Sequence, residues 1–279
     1  MLKVAVQLVS VFILWCAVPH AFAHDIWLAP EHYHPAKGDT LVVHQWAGAE
    51  LDTELELALL KHLTPRFELI TPHGTINLLK SLPDEEVKPV LNRVLDFEGT
   101  AVLTMEHDFF LTALPNETCS EYLTHEEFEG DILTAYRAHM GQRAKQRERF
   151  SRAFKCLIQI GDTPDGDAYK HLLGQQIEII LHQNPYQLTP GDTLDVTVRF
   201  ENEPLPNTLV KAFNKNGAGT IAESKARTNE AGVARFTLDK PGLWLLRLVQ
   251  LRPCQERSAG ECEEIDWESY WTSYTFQLD

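Results

Sequence analysis

Basic residues are scarce in this chain. Twenty-five Lys and Arg stand against 40 Asp and Glu in 279 residues, a formal charge of −15. Such a surface repels phosphate, which sets nucleic-acid binding aside as a main role. Several catalytic signatures are missing too: there is no Gly-x-Ser-x-Gly elbow, no P-loop and no Cys-x-x-Cys pair. His125-Glu126-Glu127 opens like a His-Glu-x-x-His zinc motif, but Glu129 stands where the second histidine is needed. Gly217-Ala218-Gly219-Thr220-Ile221-Ala222 fits a dinucleotide fingerprint only formally, because no helix follows it, and it reads as a hairpin turn. Hydrophobic residues make up 44% and charged residues 23%, which argues for a globular protein rather than a disordered or multi-spanning one.

The one long apolar run lies at the start. Lys3, the stretch Val4–Val18 and then Ala21-Phe22-Ala23 have the form of a secretory signal with a small-x-small cleavage site. Cleavage after Ala23 makes His24 the first mature residue, with no membrane insertion afterwards and a periplasmic or secreted location. Trp15 before Cys16 is too large for a lipoprotein site. Four cysteines then remain, Cys119, Cys156, Cys254 and Cys262, in an oxidising compartment where pairing is expected. Cys254–Cys262 is the closest local pair, which leaves Cys119 with Cys156 by elimination.

The fold class expected is mainly β with a helical insertion: two β-sandwich-like domains, 24–183 and 184–279, the second Ig-like or transthyretin-like. Short alternating runs at Thr40–Trp46, Arg66–Thr71 and Thr100–Glu106 are separated by turns such as Pro72-His73-Gly74. Helical spacing of Leu133, Tyr136 and Met140 places a helical segment over about 121–155, and the basic run Arg137–Lys155 reads as its solvated face. After Asn184-Pro185, strands recur about every ten residues, the rhythm of a sandwich. The closing aromatics Trp267, Tyr270, Trp271 and Tyr274 read as a core-facing strand.

All eleven mature histidines precede residue 183, so an imidazole-bound metal belongs to the first domain. His32 and His34 have the two-residue spacing that puts both rings on one face of a strand. His44 and His107 are further strand-borne candidates. His24 differs from them all, because a mature N-terminal histidine offers both its α-amine and Nδ1 to one ion.

Larger blocks carry a resemblance. The exported start His24-Asp25-Ile26-Trp27-Leu28-Ala29-Pro30, the segment Arg149–Lys155 leading to Ile160-Gly161-Asp162, Tyr186-Gln187-Leu188-Thr189-Pro190-Gly191-Asp192, Pro241-Gly242-Leu243-Trp244 and Asp266–Ser273 together resemble the bacterial family known as domain of unknown function 4198, described as a periplasmic nickel/cobalt uptake component. The resemblance implies a β-rich periplasmic protein that captures a divalent transition metal ion, nickel or cobalt with copper or zinc as alternatives, for an inner-membrane transporter. It carries His24 over as a ligand and, from Val43-His44-Gln45-Trp46, His44 as a second. Its rivals are a copper enzyme with an N-terminal histidine brace and a non-metal adaptor of the cell envelope. The leading reading requires processing, so N-terminal sequencing of the exported protein is expected to begin at His24; any other start removes the terminal chelate.

Overall fold

The computed structural model describes residues 25–256 and 260–279. The expected cleavage site at Ala23 and His24 lies outside them. In chain order the elements are β1 (Asp25–Pro30), β2 (Thr40–Ala49), β3 (Asp52–Leu57), β4 (Arg66–Thr71), β5 (Gly74–Asn77), β6 (Leu91–Val94), β7 (Gly99–Pro115), α1 (Asn116–His125), α2 (Gly130–Met140), β8 (Lys145–Ile160), β9 (Ile177–Leu181), β10 (Thr193–Phe200), β11 (Glu203–Pro204), β12 (Leu209–Lys215), β13 (Ile221–Arg227), β14 (Val233–Thr237), β15 (Gly242–Pro253) and β16 (Trp267–Leu278).

Eight of these strands form a central sheet in the order β13–β12–β15–β16–β8–β7–β4–β5. Along β8, side chains alternate between its faces. Phe154, Cys156, Ile158 and Ile160 face a core shared with Leu28, Leu41 and Val43 of the small sheet β1–β2–β3, to which β6 adds through β2. Ala153 and Leu157 face the opposite core, shared with Ile179, Val196 and Phe236 of the second small sheet built on β9, β10, β11 and β14. Helices α1 and α2 interrupt the long β7–β8 hairpin and lay Cys119, Tyr122, Leu123 and Tyr136 against Trp267 and Trp271 of β16. The molecule is thus mostly β and sandwich-like, with two helices. Trp267, Tyr270, Trp271 and Tyr274 are buried, as a core-facing closing strand requires. The glycine pair at 217 and 219 lies in the turn between β12 and β13, where the Asn216 N–H donates to the Thr220 carbonyl at 3.1 Å.

The last strand runs parallel to β8, from Trp267 opposite Glu148 to Thr275 opposite Cys156. The segments before and after residue 184 therefore share one sheet, and β9, from the first segment, pairs with β10 of the second. Tyr186 anchors the connection by donating its hydroxyl to the Leu157 carbonyl at 2.7 Å, while the Asn184 amide reaches the Thr100 hydroxyl at 2.9 Å. Gly242 opens β15 with φ of +122°, and a Cβ there would sit 2.4 Å from the Lys215 carbonyl oxygen, which accounts for glycine in Pro241-Gly242.

The helical segment expected to reach about residue 155 stops at Met140, and the basic run that follows is not a solvated helix face. It is β8, and two of its cations, Arg149 and Lys155, are paired with buried carboxylates. Lys155 sits 2.6 Å from Glu178, which also accepts the backbone N–H groups of Leu173 and Gly174. Arg149 Nε and Arg252 Nε each donate at 2.6 Å to opposite oxygens of Glu268, an entirely buried carboxylate. Removing one partner of such a pair costs about 3–5 kcal/mol, because the other charge is left without compensation in the interior.

Cys254 and Cys262 form a disulfide with Cα atoms 5.8 Å apart. The Cys119–Cys156 pairing expected by elimination is corrected: both are free and buried. Cys119 packs beneath the helices, where it accepts the Tyr136 hydroxyl at 3.5 Å, whereas Cys156 belongs to the β1–β2 side of the sheet. Burial pushes the Cys156 thiol up to about 12, so it is protonated under ordinary conditions. Peptide mapping under non-reducing conditions is expected to recover Cys254 linked to Cys262, with Cys119 and Cys156 reacting with maleimide only after denaturation. Rapid labelling of the native protein, or a Cys119–Cys156 cross-link, would contradict the packing.

Candidate functional site

One face of the central sheet has two covers, the β1–β2 sheet and the α1–α2 pair. Between them the even-numbered side chains Glu148, Phe150 and Arg152 of β8 line cavities rather than a close-packed core. Neighbouring strands extend the rows. His107 of β7 and Trp271 of β16 flank Arg152 in register, and Phe110 flanks Phe150. The β-bulge between His107 and Phe110 brings those two side chains onto the same face. Phe110 and Phe150 stack with centroids 5.5 Å apart.

The larger cavity, about 550 Å³, lies against β1, β2 and the loop after β3. Ile26, Leu57, Leu60, Leu63, Phe110 and Phe150 form its apolar walls, and Gln45, Glu56, Lys88, His107 and Arg152 its polar ones. A smaller cavity of about 90 Å³ holds Tyr122, Glu148 and Trp271 and shares Phe150 and Arg152 with the first. A third, beneath Asp25, also includes Arg152.

Each polar group has a distinct state. His107 accepts the Gln45 amide N–H at Nε2, 3.1 Å away, which assigns its proton to Nδ1. Burial, aided by the Arg152 charge, drops its pKa to about 3, so the ring is neutral. Burial brings the Arg152 pKa down to about 10, which still leaves it cationic near neutrality. Its guanidinium lies 4.7 Å from the Trp271 ring centroid and 5.6 Å from that of Phe150. Among the described residues no carboxylate forms an ion pair with it, and its Nε is buried without a hydrogen-bond partner. Glu148 accepts the Ser269 hydroxyl at Oε1, while Oε2 and the Tyr122 hydroxyl are buried without partners. Arg247 contrasts with Arg152, for it lies between Asp25, at 2.8 Å, and Glu126, both buried.

The sequence-derived candidates do not converge. His32 and His34 lie in the exposed loop after β1, not on a strand, because the chain turns at Pro30 to reach β2. His34 meets Asp279 at 3.3 Å and the edge of Tyr186. His44 is on β2, but its ring nitrogens face Glu56 at 2.6 Å and Glu31 at 3.4 Å, and it stacks on Trp46. Its neighbour Gln45 contacts His107, and adjacent strand residues point to opposite faces, so His44 and His107 diverge. Among the described residues no three His, Cys, Asp or Glu side chains gather as a metal site. His24 lies outside them. Arg152, Glu148 and Phe150 were missed as site residues; the two-residue spacing from Glu148 to Ile160 was the signal that could have found them.

A profile for a domain of unknown function, DUF4198, matches residues 21–251, well over half the chain, and the chain belongs to that family. No curated protein matches. Among solved structures, a tetra-tandem repeat in the extending region of a large adhesion protein is 9% identical, with a TM-score of 0.22 and 92% of this chain covered. The D0-D1 domain of intimin is 11% identical, with a TM-score of 0.21 and 89% covered. Trypsin-activated alpha-2-macroglobulin from Escherichia coli is 9% identical, with a TM-score of 0.21 and 84% covered. The chain spans 50%, 96% and 16% of those three chains in turn. Among the described residues no helix is long and apolar enough to cross a membrane.

Glu148 gives the cavity a pH signature. Burial holds its carboxyl up at about 7 against an ordinary 4.5, the Ser269 hydrogen bond and the Arg152 charge only partly offsetting it. A raised carboxylate pKa makes ionisation oppose folding, so the stability present below about 4.5 is lost as pH rises through about 7. Glu148→Gln keeps an acceptor for Ser269 and removes the charge. Thermal melts are expected to show the variant above wild type at about pH 8, by at most on the order of 3 kcal/mol, with the gain vanishing near pH 4. An equal effect at both pH values would mean that Glu148 does not titrate in this range.

Proposed function

We propose that the protein is an exported binding module, not an enzyme, that captures a divalent transition metal ion at its mature N-terminus for an inner-membrane transporter. Nickel or cobalt are the ions favoured by the resemblance to a metal-uptake family, with copper, whose intrinsic affinity for imidazole and amine nitrogen is higher, and zinc as competitors. The observation that carries the reading is the position of Ile26. It lies on β1, two residues after the proposed mature start, and lines the same cavity as His107.

In this proposal the α-amine and imidazole of His24 supply two nitrogens, and the neutral His107 ring supplies a third by releasing the Gln45 amide N–H from its Nε2. Two nitrogens from His24 and one from β7 make a three-donor set that the described residues alone do not supply. His44 has no part in it, since both its nitrogens are engaged by carboxylates. His32 and His34 stay in their solvent-facing loop.

Isothermal titration of nickel and copper into the mature protein tests this. His24→Ala and an added N-terminal Gly are each expected to weaken binding at least tenfold, His107→Ala to weaken it less, and His44→Ala to leave it unchanged. If the two N-terminal variants bind as tightly as wild type, the terminal site is wrong.

A further inference from the structure

Arg152, half-buried, stands apart from the buried arginines. Arg149 and Arg252 share Glu268, and Arg247 lies between Asp25 and Glu126. Arg152 is packed between the Phe150 and Trp271 rings and borders all three cavities of this face; among the described residues no carboxylate forms an ion pair with it, its Nε is buried without a hydrogen-bond partner, and Asp25 and Glu148 act on it only through space. A half-buried cation with no carboxylate in contact is incompletely compensated, and in a cavity of ligand size the open partner position suits an anion from outside the chain.

We propose that the 550 Å³ cavity binds a small organic carboxylate, its carboxylate on the Arg152 guanidinium and its apolar part between Phe110, Phe150 and Leu60. Guanidinium presents a planar fork that matches a carboxylate in two parallel hydrogen bonds, and the cation–π contact with Trp271 at 4.7 Å helps to hold it in place. The other charges facing the cavity do not compete for this role. Lys88 lies 3.5 Å from Glu56, Glu56 is 2.6 Å from His44, and Glu86 is exposed at the rim. The Gln45 side-chain oxygen, buried and unpartnered beside His107, is an acceptor for any hydroxyl or amide N–H the ligand carries. A single unpaired cation with predominantly apolar walls suits a monoanionic, weakly hydrated carboxylate. Inorganic phosphate needs more donors than the site presents. The site shares its cavity, with Ile26 and His107 in the lining, with the metal reading, but needs neither His24 nor a metal ion.

The test uses the full mature chain, freed of metal with a chelator and dialysed. Phenylacetate, its neutral amide phenylacetamide and inorganic phosphate are titrated by calorimetry, with Trp fluorescence reporting on Trp271. Saturable binding of phenylacetate in the millimolar range or tighter is expected, with phenylacetamide and phosphate at least tenfold weaker. Arg152→Met should weaken phenylacetate at least tenfold.

Melting curves without ligand separate binding from a structural role. Arg152→Met is expected to melt at or above the wild-type temperature, since it removes a charge that no carboxylate contacts, and phenylacetate should raise the wild-type melt but not the variant's. Arg152→Lys, which keeps the charge and loses the fork, should bind with intermediate affinity. No saturable phenylacetate binding, equal binding by Arg152→Met, a preference for phosphate, or a large drop in the variant's melting temperature without ligand would each overturn the proposal.

Discussion

The parallel pairing of β16 with β8 is the constraint on which the rest of the structure depends. It joins the end of the chain to its middle and makes one eight-stranded sheet from what would otherwise be two edges. A parallel pair at the centre of a sheet must be covered on both faces, since neither strand has a side it can give to solvent. The two small sheets and the helix pair are those covers. The same pairing brings Glu268 beside Arg149 and sets Trp271 beside Arg152, so the buried ion pairs and the cavity both follow from one register.

Charge inside this sheet divides into two kinds. Lys155, Arg149, Arg247 and Arg252 each meet a carboxylate, and those contacts lock strands whose backbones are already paired. A partnered buried charge adds little net stability but penalises any other register, because a shift would strand both ions. Arg152 is half-buried and has no carboxylate in contact among the described residues. Two arginines three positions apart on one strand therefore serve opposite ends: Arg149 closes the interior, and Arg152 opens onto cavities between the two covers of the sheet. The geometry is that of a binding pocket, with apolar walls, a few convergent polar groups and a cation fixed by aromatic rings.

Legibility from sequence was uneven for reasons that can be named. The strand at Thr40–Trp46, the turn at Pro72-His73-Gly74, the hairpin at Gly217–Thr220 and the buried closing aromatics could be read because each is a local pattern of period, turn residue or apolar content. The local disulfide Cys254–Cys262 was legible for the same reason: eight residues separate its ends. Cys119 and Cys156 were mispaired because elimination ignores packing, and each thiol sits in a different hydrophobic cluster. The run Arg137–Lys155 misled more deeply. Charged residues every two or three positions look like a solvated helix when the chain is taken as isolated, yet from Lys145 onward they form a buried strand because carboxylates at Glu178 and Glu268, more than 20 and more than 110 residues away, receive them.

What the sequence determined by itself was the β-rich class, the family and the local punctuation, since these depend on residues near one another in the chain. The tertiary structure alone decided which charges are partnered and which are not. Whether a buried arginine finds a carboxylate depends on strand order and register across the whole sheet. No spacing along the chain distinguishes Arg149 from Arg152; only the parallel placement of β16 does, by bringing Glu268 to one and the Trp271 ring to the other.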